Sequence, residues 1–193
     1  MTGYVGKHPG RRDRLLTGGP GEPWITRKAI AILDALPLDD WHVFEWGCGE
    51  STDYYVRRCG AGRVVSVEHD PAWAERTQVA VPGSSVRCIP LGPEYVAAVQ
   101  AGSRPYDMIV IDGRMRVPCG FAALSRVRDG GIILLDNSER KRYRPLLCLL
   151  NAACSRREAT SNGVWCTTLW WIDASKVEAA LRDNPAPAAE GGA

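Results

Sequence analysis

Between residues 43 and 136 short, almost wholly apolar runs alternate with longer amphipathic ones. The apolar runs 43–46, 63–68 (RVVSVE), 85–89 (SVRCI), 107–112 (DMIVID) and 131–136 (GIILLD) have the length and the Val/Ile content of strands covered on both faces. Between and after them, segments of helical period occupy 51–59, 71–79, 93–101, 116–127 and 140–152. Upstream, 23–37 (PWITRKAIAILDALP) sets Ile25, Ala29, Ile32, Leu33 and Leu36 on one face of a helix that Pro37 stops. Strand–helix alternation predicts an α/β fold, a doubly wound and mostly parallel sheet with right-handed crossovers. The pattern then changes. Residues 157–172 (REATSNGVWCTTLWWI) hold two β-rich runs around Asn162-Gly163, which predicts a closing antiparallel hairpin and a seven-stranded sheet. Residues 1–23, rich in Gly, Pro and Arg, predict an irregular arm before a single domain over 24–183. The stretch 184–193 (NPAPAAEGGA) has no apolar anchor and predicts a disordered tail.

Composition narrows the class. With 45 % hydrophobic and 24 % charged residues in 193, the chain is that of an ordinary soluble domain able to bury a core. A net charge of +2 does not call for a nucleic-acid or membrane partner, and neither is expected. The clusters Arg11-Arg12, Arg140-Lys141-Arg142 and Arg156-Arg157 read first as solvated charge, second as attraction for an anion. Seven cysteines stand singly with no CxxC pair, which suits reduced thiols in a cytoplasmic setting. Residues 1–23 lack the apolar centre of a signal peptide, and no apolar run reaches the ~20 residues that span a bilayer. A homodimer is left open.

The chemistry gathers at the strand ends. VFEWGCGESTDYY (43–55) runs from a strand into Gly47 and Gly49, where glycine permits a sharp turn and a close ligand approach. The next helix then offers free N–H groups, with Ser51 or Thr52 as its cap. About 20 residues on, the second strand ends in Glu68-His69-Asp70, where a carboxylate can accept bonds from ribose hydroxyls. A dinucleotide and S-adenosylmethionine both suit such a crevice. Three details favour the second: Thr52 stands where G-x-G-x-x-G needs its third glycine; the acid Glu45 would repel a pyrophosphate and attract an ammonium or sulfonium; and a hairpin-ended sheet is unusual for dinucleotide folds.

With Glu45, Gly47 and Gly49 as E-x-G-x-G, an acid after the second strand and another ending the fourth, the chain resembles the class I S-adenosylmethionine-dependent methyltransferases over residues 24 to 173. FEWGCGEST, VSVEHDP, YDMIVIDGR and GGIILLDNSER are similar to a bacterial subgroup of small methyltransferase-like proteins. The resemblance implies S-adenosyl-L-methionine as cofactor, with Glu45, Gly47, Cys48, Gly49, Ser51 and Thr52 about its methionine end, Glu68 on the ribose, and His69 or Asp70 by the adenine. Where many members read the adenine amine with an acid or amide after the third strand, this chain has Cys88-Ile89-Pro90-Leu91, so backbone amides would serve there. The activity implied is methyl transfer to an oxygen or nitrogen of a small-molecule acceptor. Non-methylating chemistry on the same cofactor, elimination or cyclisation, is one alternative. A non-catalytic nucleotide-binding protein is the other.

A sulfonium methyl is already activated, so the protein has to align a nucleophile and take a proton. Asp112, also beside the cofactor, is the expected base because Gly113 frees the backbone next to it, and His8 in the arm is a second candidate. Arg114, Asn137, Arg140 and Trp165 are expected to contact the acceptor, on a rim that also holds Arg116 and Arg142. Trp170 and Trp171, adjacent on a strand, must face opposite ways, so at least one belongs to the core. Asp112 with Asp136 and Asn137 is also similar to the trio by which magnesium-dependent catechol and caffeoyl-coenzyme A O-methyltransferases hold Mg²⁺. The reading preferred here is that Asp136 and Asn137 cap a turn, with no metal.

Overall fold

A computed structural model describes residues 21–187. Its one sheet has seven strands: β1 Val43–Trp46, β2 Val64–Glu68, β3 Ser85–Cys88, β4 Tyr106–Ile111, β5 Val127–Asp136, β6 Cys154–Ser161 and β7 Cys166–Ile172. They lie in the order β3-β2-β1-β4-β5-β7-β6. The first five are parallel, and β7 runs antiparallel between β5 and β6. This is the doubly wound sheet with a hairpin edge that the alternation predicts.

Seven α-helices cover it among the described residues: α1 Arg27–Asp34, α2 Glu50–Cys59, α3 Pro71–Ala80, α4 Pro93–Ala97, α5 Arg116–Ala123, α6 Arg144–Ala153 and α7 Ala174–Asp183. Two apolar clusters mark the two faces. Phe44, Trp46, Ile109, Ile111, Ile133, Leu135 and Trp170 pack under α4 to α7, whereas Val43, Met108, Val110, Ile132, Leu134 and Leu169 pack under α1 and α2. Trp170 and Trp171 fall on opposite faces, as strand geometry requires.

The differences from expectation have local causes. Helix α1 starts only at Arg27 because the Thr26 hydroxyl caps it, accepting from Ala29 N at 3.3 Å, although Ile25 before the cap is still buried. The 93–101 helix closes after Ala97 into a 3-10 turn, Ala98–Ala101. Pro145, near the start of α6, confines the 140–152 helix to 144 onward, behind a 3-10 turn at Lys141–Tyr143. Helix α5 stops at Ala123 because β5 begins early, at Val127, and carries a bulge before its register resumes at Met108↔Ile132; Gly130 supplies a φ of 67° there. Strand β3 has one neighbour only, and its residues are mostly exposed rather than apolar on both faces.

In the hairpin, Asn162-Gly163 does not make a two-residue turn. Asn162 to Trp165 form a longer loop in which the Asn162 side chain accepts from Val164 N and Trp165 N, both at 3.0 Å. Helix α7 has no counterpart among the expected helices. Asp173 caps it, accepting from Ser175 N at 3.1 Å.

Candidate active site

Strand order reverses between β1 and β4, and the loops leaving these two strands touch. Gly47 has φ 92°, and a Cβ there would lie 2.9 Å from the Gly113 backbone nitrogen. A Cβ on Gly113 would in turn collide with the Tyr95 hydroxyl. The bareness of Gly47 is therefore used by a second backbone, a reason that adds to the one given from sequence. Gly49 caps α2, and Thr52 supports it by accepting from Gly49 N at 2.9 Å. The Trp73 indole lies over Gly49 and donates to the Cys48 carbonyl.

Strand alternation assigns the acids to one face. Glu45 shares parity with Val43, Glu68 with Val64 and Ser66, Asp112 with Met108 and Val110, and Asp136 with Ile132 and Leu134. All four acids therefore belong to the α1/α2 side of the sheet at its carboxyl ends. Their environments differ. Glu45 is wholly buried and accepts from the hydroxyls of Ser66 (2.6 Å), Ser51 (3.2 Å) and Thr52. Burial raises its carboxyl to about 7, against the lowering effect of those hydroxyls. Glu68 turns one oxygen, Oε1, back onto His69 N (2.7 Å) and Asp70 N (2.9 Å). The His69 Nδ1 is also 2.5 Å from Oε1, off the line that a hydrogen bond needs. The other oxygen has no protein partner among the described residues.

Arg116, although only 8 % exposed, is the hub of the β4 and β5 ends. Its guanidinium donates to Asp112 Oδ1 (2.7 Å), to the carbonyls of Asp112 (2.6 Å) and Gly113 (2.9 Å), and across to the Asp136 carbonyl (2.6 Å). Burial raises the Asp112 carboxyl and Arg116 opposes the rise. Asp136 is pushed up to about 7 by burial and by the charge of Asp112. The Cys48 thiol, up at about 12 through burial, is no nucleophile at neutral pH.

Asp112, Asp136 and Asn137 do not fit Mg²⁺. Arg116 already holds the first carboxylate, Thr167 donates to the second at 2.7 Å, and a divalent ion would share the place with a fixed guanidinium. Nor is there, among the described residues, a metal-holding cluster of three or more His, Cys, Asp and Glu. Asp136 and Asn137 do stand at a turn, where the Asp136 carboxylate accepts from the Asn137 backbone and Arg140 N closes on the Asn137 carbonyl at 3.2 Å. This block is knitted to β7: Asp136 to Thr167, the Ser138 hydroxyl to that of Thr168 (2.7 Å), and Cys166 N to Glu139 Oε2 (2.7 Å).

Two adjoining clefts open at these strand ends. One, of about 680 Å³, is lined by Gly47, Cys48, Ser51, Glu68, His69, Asp112, Gly113, Arg114, Asn137 and Arg140, together with Trp24, Trp73, Met115, Arg142 and Tyr143. The other, of about 560 Å³, shares Trp24, Cys48, Ser51, Trp73 and Asp112 and runs between α2 and α3 past Gly49 and Thr77. Of the expected site residues, Glu45, Thr52 and Asp70 line neither cleft. Glu45 and Thr52 hold the turn from beneath, and Asp70 caps α3, accepting from Trp73 N at 3.1 Å. Trp165 lines neither cleft, and Cys88 to Leu91 stand outside both. His8 lies outside the described residues. Trp24, Trp73, Met115 and Tyr143 were not singled out from sequence. Each is a lone apolar or aromatic residue whose place at the crevice depends on a different element.

No protein-family model matches the chain, and no curated protein matches it. Solved structures do. An O-methyltransferase from Bacillus cereus, in complex with S-adenosylhomocysteine, is 22 % identical with a TM-score of 0.61, over 76 % of this chain and 80 % of that one. The N-methyltransferase NodS from Bradyrhizobium japonicum WM9 is 13 % identical with a TM-score of 0.54, over 76 % and 96 %. An rRNA methylase from Streptococcus thermophilus is 10 % identical with a TM-score of 0.53, over 71 % and 90 %. The chain thus has the Rossmann-like fold of the S-adenosylmethionine-dependent methyltransferases. Among the described residues no helix is long and apolar enough to cross a membrane.

Proposed function

We propose that this protein is an S-adenosylmethionine-dependent methyltransferase acting on an oxygen or nitrogen of a small-molecule acceptor, in a cytoplasmic setting. The observation that carries the reading is Glu68: a nearly buried acid at the end of β2, one oxygen spent on its own turn and the other free, in a cleft shared with the Gly47 loop and Asp112. Two ribose hydroxyls are what a free, oriented carboxylate oxygen at that place accepts. Ser51 and the N-terminus of α2 lie at the opposite end of the turn, where they suit the aminoacyl group. When bound, S-adenosylmethionine supplies an activated methyl group.

The chain's own part is to position and to deprotonate. Arg116 fixes Asp112 through Oδ1, and Oδ2 is without a protein partner among the described residues. The free oxygen supports Asp112 as the group that takes the acceptor's proton, with a basicity that burial increases. No step calls for a metal.

Titration calorimetry with S-adenosylhomocysteine tests the reading. Glu68→Ala should weaken binding about ten-fold to over a hundred-fold, the equivalent of roughly 1.5–3 kcal/mol for a charge-assisted bond, in a variant that is less stable through the loss of an acceptor for His69 N and Asp70 N but still folded. Equal affinity in the variant removes Glu68 from this role, and no binding to the wild type removes the function. Once an acceptor is in hand, Asp112→Asn should cut turnover by roughly 10²–10⁴-fold with little change in cofactor affinity. Product analysis then separates methyl transfer from elimination or cyclisation.

A further inference from the structure

The larger cleft is electrically lopsided. Glu68 and Asp112 are its acids, and Arg116, which also reaches it, is neutralised by Asp112. That leaves Arg114, Arg140 and Arg142 on the wall formed by the β4–α5 and β5–α6 loops. Among the described residues none of the three has a carboxylate closer than 3.8 Å, the distance from Arg140 to Glu139. Glu139 is itself engaged by Cys166 N at 2.7 Å. The Arg142 guanidinium is held over the Tyr143 ring, 5.0 Å from its centroid, and donates to its hydroxyl at 3.1 Å. The positive charge of Arg140 reaches Asp112.

The backbone points the same way. Only three described residues other than glycine have a positive φ, and two of them, Met115 (49°) and Asn137 (50°), sit in these two loops and line this cleft. Conformations of that kind persist where the surroundings over-determine them, and they gather at ligand sites. The Tyr95 hydroxyl accepts from Arg114 N at 3.3 Å and fixes the β4–α5 loop just where it presents Arg114. Trp24 and Met115, at 37 % and 38 % exposure, are large apolar side chains left open to solvent in the same cleft.

We propose that the acceptor carries an oxyanion, a carboxylate or a phosphate, which Arg114 and Arg140 bind while Trp24 and Met115 cover its apolar part. This rests on the reading of the Glu68 end as the cofactor site. Exposed guanidinium forks with no close acidic partner form charge-assisted pairs with such a group, and its binding would turn the neutral end of the acceptor toward Asp112. In the transfer step, a lone pair on the acceptor's oxygen or nitrogen forms the new bond to the methyl carbon. The carbon–sulfur bond breaks with its pair returning to sulfur, and the acceptor's proton passes to Asp112. A nucleic-acid backbone is the competing oxyanion. It would need a continuous basic track, and the other adjacent arginine pairs among the described residues are engaged: on α2, Arg57 with Asp53 at 3.0 Å and Arg58 with Asp34 at 2.8 Å, and on the far edge strand, β6, Arg156 with Glu158 at 2.9 Å and Arg157 with Asn151 at 3.4 Å.

The test uses the full chain saturated with S-adenosylhomocysteine and titrates inorganic phosphate, malonate and, separately, a short RNA hairpin, following the arginine Nε–Hε resonances. Saturable shifts confined to Arg114, Arg140 and Arg142, with either small anion weakened about tenfold in Arg114→Ala and in Arg140→Ala but not in Arg182→Ala, are the expected result. The relative strength of phosphate and malonate tells the two kinds of oxyanion apart. Shifts that do not saturate, or that spread equally to Arg156, Arg157 and Arg182, overturn the proposal. So does an RNA affinity that depends on the β6 arginines as much as on the rim. S-adenosylhomocysteine affinity, measured beforehand in each variant, should stay constant. If that ligand never binds, the cofactor reading fails on its own, and anion binding by the unsaturated chain still decides the rim.

Discussion

Glu45 shows how one residue reports on its surroundings. Its carboxyl titrates near 7 in the folded chain against an ordinary value of 4.5, because burial outweighs three hydroxyl donors. The folded state therefore binds the proton more tightly than the unfolded one. The associated stability is fully present below pH 4.5 and is lost as pH rises through about 7. Glu45→Gln keeps an acceptor for the hydroxyls without the charge, so the variant should lose less stability than the wild type as pH goes from 5 to 8. Urea titrations across that range check it, and parallel curves for the two proteins would refute the assignment. Asp136, also raised to about 7, has the same sign, which is why the comparison is made between variants and not on the wild type alone.

At the scale of elements, two joints hold the crevice in place. The first is the contact of the β1 and β4 exit loops at Gly47 and Gly113. Gly47→Ala would force a left-handed conformation on alanine and push its Cβ onto a backbone amide 2.9 Å away, neither of which relaxes cheaply. A loss of roughly 2–4 kcal/mol in urea unfolding is expected, together with weaker S-adenosylhomocysteine binding. The second joint ties α1 to the hairpin. Thr26 N donates to the Thr167 hydroxyl (3.1 Å), which donates to Asp136 (2.7 Å), and Thr160 contacts Thr26 and donates to the Thr167 carbonyl (2.9 Å). Thr167→Val conserves volume but strands a buried N–H and a buried carboxyl, at about 1–3 kcal/mol for each. Its cost should grow above neutral pH, because the lost hydroxyl favoured the charged form of Asp136.

On the scale of the whole molecule, the cleft and the fold are thermodynamically linked. A ligand at about a hundred times its Kd adds roughly 2.7 kcal/mol to stability, or some 5–10 °C in melting temperature for a chain of this length. S-adenosylhomocysteine should produce that shift, and EDTA or added Mg²⁺ should leave it unchanged because Arg116 stands where the ion would sit. A melting temperature that rises with Mg²⁺ and falls with chelator would contradict the Arg116 argument.

What the sequence determined by itself was whatever repeats along the chain or depends on nearest neighbours. Apolar runs covered on both faces specify central parallel strands, Pro71 after Asp70 specifies the start of a helix, and Glu68 after four strand residues specifies an acid at a strand tip. The same local logic brought Gly47, Cys48, Ser51, Glu68, His69, Asp112, Arg114, Asn137 and Arg140 to one crevice. Tertiary structure decided what each group faces. Glu45 and Thr52 lie in the same motif as Gly47, yet they point beneath the turn, because the partners that fix them include Ser66 on a neighbouring strand. Arg116 reads as one more rim charge until β5 brings the Asp136 carbonyl within 2.6 Å and makes it a buried clamp. Trp24 and Trp73 carry no local signal at all: one precedes α1, the other lies in the first turn of α3, and only the packing of α1 on β6 and β7 and of α3 on β2 and β3 sets them at the same opening. Periodicity and capping are properties of a few consecutive residues. Desolvation, pairing and the walls of a cleft arise between segments distant in sequence, so they follow from the fold and not from the order of residues.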